Sequence, residues 1–240
     1  MDPVVLSIII ITLAFFGESL FGFGGGLISI PLLSFVLGVK DAVTLALIFQ
    51  LLMGLLIFQN YKHTNWKVAI PMTVGLLVGG TIGTFTLSLL SNVFLERLLA
   101  VSIFIFLIKM IFFNGFTFGD NKHKAWGVVA GVVGGWVQGV IGTGGPVLSM
   151  YLAVVAPDKA IFRATLIYLL FMVSLVRVVT SFGRGLLTPQ LLTLSLPILP
   201  FFLVAIFIGH HIHTRIPEKY YRYAVYTILF FSAVSMLFKN

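Results

Sequence analysis

The sequence contains no cysteine, and only 9% of its 240 residues are charged. Without thiols there is no disulfide framework, no thiolate metal site and no cysteine nucleophile. Soluble chains are about 25% charged and about 45–50% apolar, whereas 59% of this one is hydrophobic. So little polar surface does not cover a water-soluble globule of this size. A soluble enzyme, a disordered regulator and a nucleic-acid module are excluded, and a lipid bilayer is the medium that remains. Acidic residues are scarce too, seven against fifteen Lys and Arg, for a net charge of +8. In a membrane protein that excess points to basic loops gathered on one side rather than to a nucleic-acid partner. Met1-Asp2-Pro3 and the apolar run from Val4 carry no basic n-region and no small-residue cleavage signature. No removable signal peptide is expected.

Six apolar runs have the roughly 20-residue length that crosses a hydrocarbon core of about 30 Å: 42–61, 68–90, 94–113, 163–182, 190–209 and 219–238. Lys62-His63-Thr64-Asn65, Glu96-Arg97, Gly183-Arg184-Gly185 and Arg215-Ile216-Pro217-Glu218 mark breaks between them. The runs are continuous rather than alternating, and a backbone in lipid must satisfy its own hydrogen bonds, so they read as helices.

Two longer runs, 3–37 and 125–156, do not fit one crossing. As single helices each would reach about 45–50 Å at 1.5 Å per residue. Each is interrupted, by Gly22-Phe23-Gly24-Gly25-Gly26 and by Gly142-Thr143-Gly144-Gly145-Pro146, at an offset of 120 residues. The same offset sets Glu18 against Gln138 and Phe21 against Ile141. The chain therefore reads as an internal repeat of halves 1–120 and 121–240 in one membrane domain, joined through the charged stretch Asn114 to Lys124.

Charge decides whether these runs cross or turn back. If each crosses once, the basic residues divide almost evenly. If each is a re-entrant hairpin, one side collects Lys62, Lys67, Lys109, Lys122, Lys124, Lys159, Arg163, Arg215, Lys219 and Arg222. The other side keeps Lys40, Arg97, Arg177, Arg184 and Lys239. Basic residues concentrate in the cytoplasm, so hairpins are expected. Each half then holds one re-entrant helical hairpin and three transmembrane helices. The fold class is an all-α polytopic membrane protein with an inverted-topology repeat and both termini outside.

Many secondary transporters use inverted repeats with broken helices to place a substrate near the bilayer midplane. Glycine lets a backbone turn through positive φ and approach a bound group closely. Proline at 146 suits a first helical position. Free N–H groups after each turn, reinforced by the helix dipole, would suit an anion. The expected substrate site is thus the pair of tips, Gly22, Phe23, Gly24 and Gly25 with Gly142, Thr143, Gly144 and Gly145. Other glycines have a plainer reading. Gly75, Gly79 and Gly83, and Gly127, Gly131, Gly135 and Gly139, recur every four residues as helix-contact seams do. Neither cluster is a nucleotide loop, since the first lacks a following Lys-Ser/Thr and has Leu27 where a third glycine would stand.

Gly22-Phe23-Gly24-Gly25-Gly26, with Pro31 and Ala42-Val43-Thr44 after it, resembles the first-half signature of the sulfite exporter TauE/SafE family. Gly139-Val140-Ile141-Gly142-Thr143-Gly144-Gly145-Pro146, with Phe162-Arg163-Ala164-Thr165, resembles the second. Where the family often has a Thr-Ser pair, Thr44 is followed by Leu45. The resemblance spans essentially the whole chain. It implies a transporter of sulfite, a sulfonate or a related small anion, in the plasma (inner) membrane of a prokaryote.

Polar groups within spans must face protein or water, because lipid penalises them by several kcal/mol. Glu18, one turn before the first glycine cluster, is the one carboxylate in the interior of a proposed membrane segment, Glu96 lying at the boundary of its span. It is either the proton-coupling group or a hydrogen-bond acceptor for the turn backbone. Gln138, its counterpart, cannot titrate and is a hydrogen-bond partner. Gln50, in mid-span, is a candidate substrate contact. Arg163 either attracts an anion at the cytoplasmic mouth or marks the boundary. Arg177, near the outer end of its span, reads as snorkelling to the surface. His210, His211 and His213 fall with Arg215 in a basic loop and have no second ligand cluster, so no metal and no cofactor is expected. The partners are a small anion and the bilayer, with no nucleic acid, and self-association stays open. A passive anion channel is the alternative to a carrier. An intramembrane enzyme is a weaker one, for want of a second catalytic group beside Glu18.

Overall fold

The computed structural model describes residues 2–21, 24–56, 62–112, 124–156 and 158–212, with Phe230 and Val234. Among them are nine α-helices and no strand: α1 (Pro3–Phe21), α2 (Gly25–Leu37), α3 (Val39–Leu56), α4 (Trp66–Leu89), α5 (Asn92–Phe112), α6 (Lys124–Ile141), α7 (Gly145–Val155), α8 (Lys159–Gly183) and α9 (Pro189–Ile212). Helices α3, α4, α5, α8 and α9 coincide with five of the six apolar runs. The sixth, 219–238, lies almost wholly outside the described residues.

Among the described residues, five helical segments are long and apolar enough to cross a membrane: Pro3–Leu20, Val39–Leu56, Trp66–Leu89, Ala160–Gly183 and Pro189–His211. Large apolar side chains such as Ile70, Val74, Val78 and Ile82 of α4 are exposed. In water these would form an aggregating stripe, and in lipid they face their own solvent. The chain is a multi-pass membrane protein.

Both long runs are broken where the glycines stand. Gly24 has φ +113 and Gly142 has φ +70, both in the left-handed region that side chains resist. Each break yields one longer and one shorter helix, 19 and 13 residues for α1 and α2, 18 and 11 for α6 and α7. At 1.5 Å per residue α1 extends about 28 Å, so this arm alone has the length of a crossing.

The chain forms two compact units, and neither is a sequence half. The first contains α1, α2, the start of α3, α5 and α9. Within it α1 packs on α2 and on α9. Phe15 meets Phe202 edge-on with ring centroids 5.3 Å apart, and Ser19 touches Gly209. Residue numbers rise together across that contact, so α1 and α9 run in the same direction.

The second unit contains α3 from Leu47, α4, α6, α7 and α8. Its main contact is α4 on α6, built from the two glycine ladders. A Cβ on Gly135 would lie 2.7 Å from the Leu76 carbonyl oxygen, and one on Gly139 would lie 2.7 Å from that of Gly80. Only hydrogen at these positions lets the two backbones touch, which is the dense packing that holds helices together in lipid. The ladders are contact seams, as their spacing suggests.

Direction is legible here as well. Gly131 faces Met72 and Leu76, while Gly139 faces Gly80 and Gly83, so α6 runs parallel to α4. Asn65 N–H donates to Thr165 Oγ1 at 3.1 Å, and Arg184 Nε donates to Ser88 Oγ at 2.9 Å, so α8 runs parallel to α4 too. Between α6 and α8, α7 returns: Gly134 faces Leu148, and Gly127 faces Tyr151. The α6–α7 pair therefore begins and ends at one end of this unit.

Candidate functional site

In the first unit, the side chain of Glu18 reaches from α1 to the start of α2. Its Oε2 accepts the Gly25 N–H at 2.8 Å, and the residue is 7% exposed. A carboxylate at a helix N-terminus satisfies an orphan donor and opposes the positive end of the dipole. A Cβ on Gly25 would collide with that carboxylate, so any side chain there would displace it from the N–H. Gly24, beside it, is the positive-φ N-cap of α2. Gly22 and Phe23 lie outside the described residues.

In the second unit the same post is held by an amide. Gln138 Oε1 accepts the Gly144 N–H in a short hydrogen bond at the start of α7. Pro146 stands in the first turn of α7, as expected. Gly144 has φ −73, so it is not required for its dihedral angle. It is required for space, because a Cβ would lie 2.6 Å from Gln138 Cβ. At these two tips, then, the N–H groups of Gly25 and Gly144 are not free for a ligand. Glu18 thus makes the hydrogen bond to the turn backbone that its position allowed.

Around Gln138 the second tip is closed by a ring of hydrogen bonds. Gln138 Nε2 donates to Gln50 Oε1 at 3.1 Å, and Gln50 Nε2 donates to the Gly142 carbonyl at 3.1 Å. Gln138 is 2% exposed, and Gly142, Thr143, Gly144 and Gly145 are all buried. Gln50, Gln138, Gly142 and Gly144 are thus brought together as one site. Arg163 is not part of it. It is half-buried in the first turns of α8, about 21 Å along the helix from position 177 at 1.5 Å per residue.

Arg177 is the residue that the sequence reading misplaced. Far from snorkelling, it is 1% exposed. Its Nη1 donates to Gln50 Oε1 at 3.0 Å, while its buried Nε has no hydrogen-bond partner. The signal available in the sequence was its isolation, a lone cation inside an apolar span, which marks a functional position by default. His210 and His211 are exposed on the last turn of α9, with His211 Nδ1 2.7 Å from the Phe207 carbonyl oxygen. His213 lies outside the described residues.

A chain whose described residues fold into long apolar helices, two of its runs broken at glycine turns with buried polar groups, is built as a membrane transport protein is built. The sulfite exporter TauE/SafE family model matches residues 7–236, and the chain belongs to that membrane transporter family. It is also similar to the probable membrane transporter protein of Methanocaldococcus jannaschii, with 26% identity over 151 residues. That match covers 55% of this chain and 56% of the relative, so it spans about half the length of each. No solved structure matches the chain.

Proposed function

We propose that the protein is a secondary transporter for a small sulfur-containing anion, sulfite or a sulfonate, and that the anion is held at the second hairpin tip. The observation that carries this is the exchange of Glu18 for Gln138 at matching posts. A carboxylate at the first tip repels an anion, while a neutral amide at the second does not, and Arg177 adds a positive charge beside it. Of the two glycine turns expected to cradle the substrate, the second is the one assigned to it. The first, with Glu18, is assigned to proton coupling.

The topology belongs to the same proposal: an inverted repeat of halves 1–120 and 121–240, two re-entrant hairpins, and both termini outside the inner membrane of a prokaryote. Support comes from the helix order. Gly25 and Gly145 open α2 and α7, and Val39 and Lys159 open α3 and α8, each pair 120 residues apart. Helix α6 packs on α4 as α1 packs on α9, so each hairpin pairs with the fourth helix of the other half. The return of α7 alongside α6 supports re-entrance, since α6 and α8 start at the same end of α4.

The test is counterflow in proteoliposomes with a panel of sulfite, sulfoacetate, sulfate and thiosulfate. A carrier gives saturable exchange of at least one sulfur anion and no unitary conductance. Ohmic current without counterflow would replace the carrier by a channel, and no flux of any of the four would sink the reading.

A further inference from the structure

We infer that Arg177 is the substrate ligand of the second tip, and that it selects oxyanions by offering the free Nε edge of its guanidinium to their oxygens. The inference rests on the transport reading above and names the residue and the chemistry that reading lacks.

Arg177 is fully enclosed, yet the group that holds it is neutral. Gln50 Oε1 accepts from both Arg177 Nη1 and Gln138 Nε2, and the Gln138 oxygen is taken by Gly144. The ring therefore orients the guanidinium but contributes no negative charge. Among the described residues Arg177 has no carboxylate partner. A buried cation without a counter-charge is costly, and proteins retain one where something else supplies the charge. A bound anion does so.

The geometry then sets the class of anion. A guanidinium is a planar fork with two usable edges, and each matches a pair of oxygens on one centre. Nη1 is occupied by Gln50, whereas Nε is buried and unpartnered. The edge left over suits sulfite, a sulfonate group or another oxyanion, whose two oxygens each take one donor along parallel bonds, whereas a monatomic halide has to share both donors at bent angles. Arg184 differs on each count. It is exposed, bonded to Ser88, and lies 4.5 Å over the Phe85 ring, so its donors and charge are already engaged.

The experiment reads thermal unfolding of the purified full chain in a neutral detergent against sulfite, sulfoacetate and chloride at matched ionic strength. In the wild type, sulfite or sulfoacetate raises Tm saturably and chloride does not. Arg177→Lys keeps the charge but loses the fork, so the half-saturating oxyanion concentration rises about 10–100-fold, as loss of a charged hydrogen bond implies. Gln50→Glu covers the case in which Arg177 variants fail to fold. It supplies an internal counter-ion but gives up the Gln50 Nε2 bond to the Gly142 carbonyl, so the test reads the oxyanion response, which is lost, rather than Tm without anion. A purely structural Arg177 would leave that response intact in Gln50→Glu. Wild-type half-saturation in both variants overturns the inference, and so does stabilisation by phosphatidylglycerol vesicles without any response to free sulfite. Counterflow separates the two levels. Saturable transport with unchanged half-saturation in both variants removes Arg177 but keeps the carrier. Arg177-dependent binding without wild-type counterflow keeps the site and removes transport.

Discussion

Glu18 Oε2 accepts the Gly25 N–H at 2.8 Å, so a carboxylate buried in α1 closes the start of α2. The same post in the other hairpin is held by Gln138, whose Oε1 accepts the Gly144 N–H. One function, capping a broken helix, is therefore served by two side chains of nearly equal shape. Only one of them can carry a proton.

That pair makes Glu18→Gln an unusually clean substitution. Glutamine keeps an oxygen that accepts the Gly25 N–H, as Gln138 shows it can at Gly144, so the hairpin should fold and exchange substrate. Glu18→Gln is expected to retain counterflow of the sulfur anion and to lose the acceleration of net flux by an imposed pH gradient. Flux measured in proteoliposomes across a series of gradients checks this. If the variant responds to the gradient as the wild type does, Glu18 is a cap and the proton passes elsewhere.

The two glycine turns should fail for different physical reasons. Gly24 sits at φ +113, where a β-branched residue is strained by about 1–3 kcal/mol. Gly144 has an ordinary φ but touches Gln138, so even Gly144→Ala should displace the amide ring. Both Gly24→Val and Gly144→Ala are expected to abolish transport in protein that still inserts. Gly131→Ala, in the α4–α6 seam, should instead cost about 1–3 kcal/mol of stability through overpacking. Comparing Tm with transport rate for the three variants separates tip from seam. Full transport by either tip variant would remove that turn from the mechanism.

Much of this was legible in the amino-acid order because membrane solvent simplifies the problem. Length and apolarity located α3, α4, α5, α8 and α9, and four-residue glycine spacing located the α4–α6 seam. Glu18 and Gln138, 120 residues apart in the sequence, each accept an N–H at the start of the next helix. What the order did not contain was azimuth. Hydropathy reports how deep a residue lies along a helix, and Arg177 is near one end of α8. Whether it points to lipid, headgroups or protein depends on how α8 lies against its neighbours, and that is a property of the packed unit. Glu18 was readable as an acceptor for the turn backbone from its place one turn before the glycines, but that Gln138 closes onto Gly144, six residues on, is visible only once the two helices fold together.

The last expectation concerns sidedness, and it follows from helix direction. Within the second unit α4, α6 and α8 run parallel, so the residues that open α4 and α8 lie at one end. Lys62, just before α4, and Ala160, in the first turn of α8, should therefore label from the same side of the membrane. From the excess of basic residues, that side is expected to be the cytoplasm. Asp41, after the first hairpin, and Gln190, at the start of α9, should label from outside. Because the chain has no cysteine, single Cys substitutions at these four exposed positions can be read without a background. If the two runs each crossed once, Lys62→Cys and Ala160→Cys would fall on opposite sides, since an odd number of crossings would separate them. Asp41→Cys would then share the side of Ala160→Cys. Labelling of intact cells with a membrane-impermeant maleimide, before and after permeabilisation, distinguishes the two arrangements. Opposite sidedness for Lys62 and Ala160 would end the re-entrant reading of α6 and α7, and with it the inverted repeat.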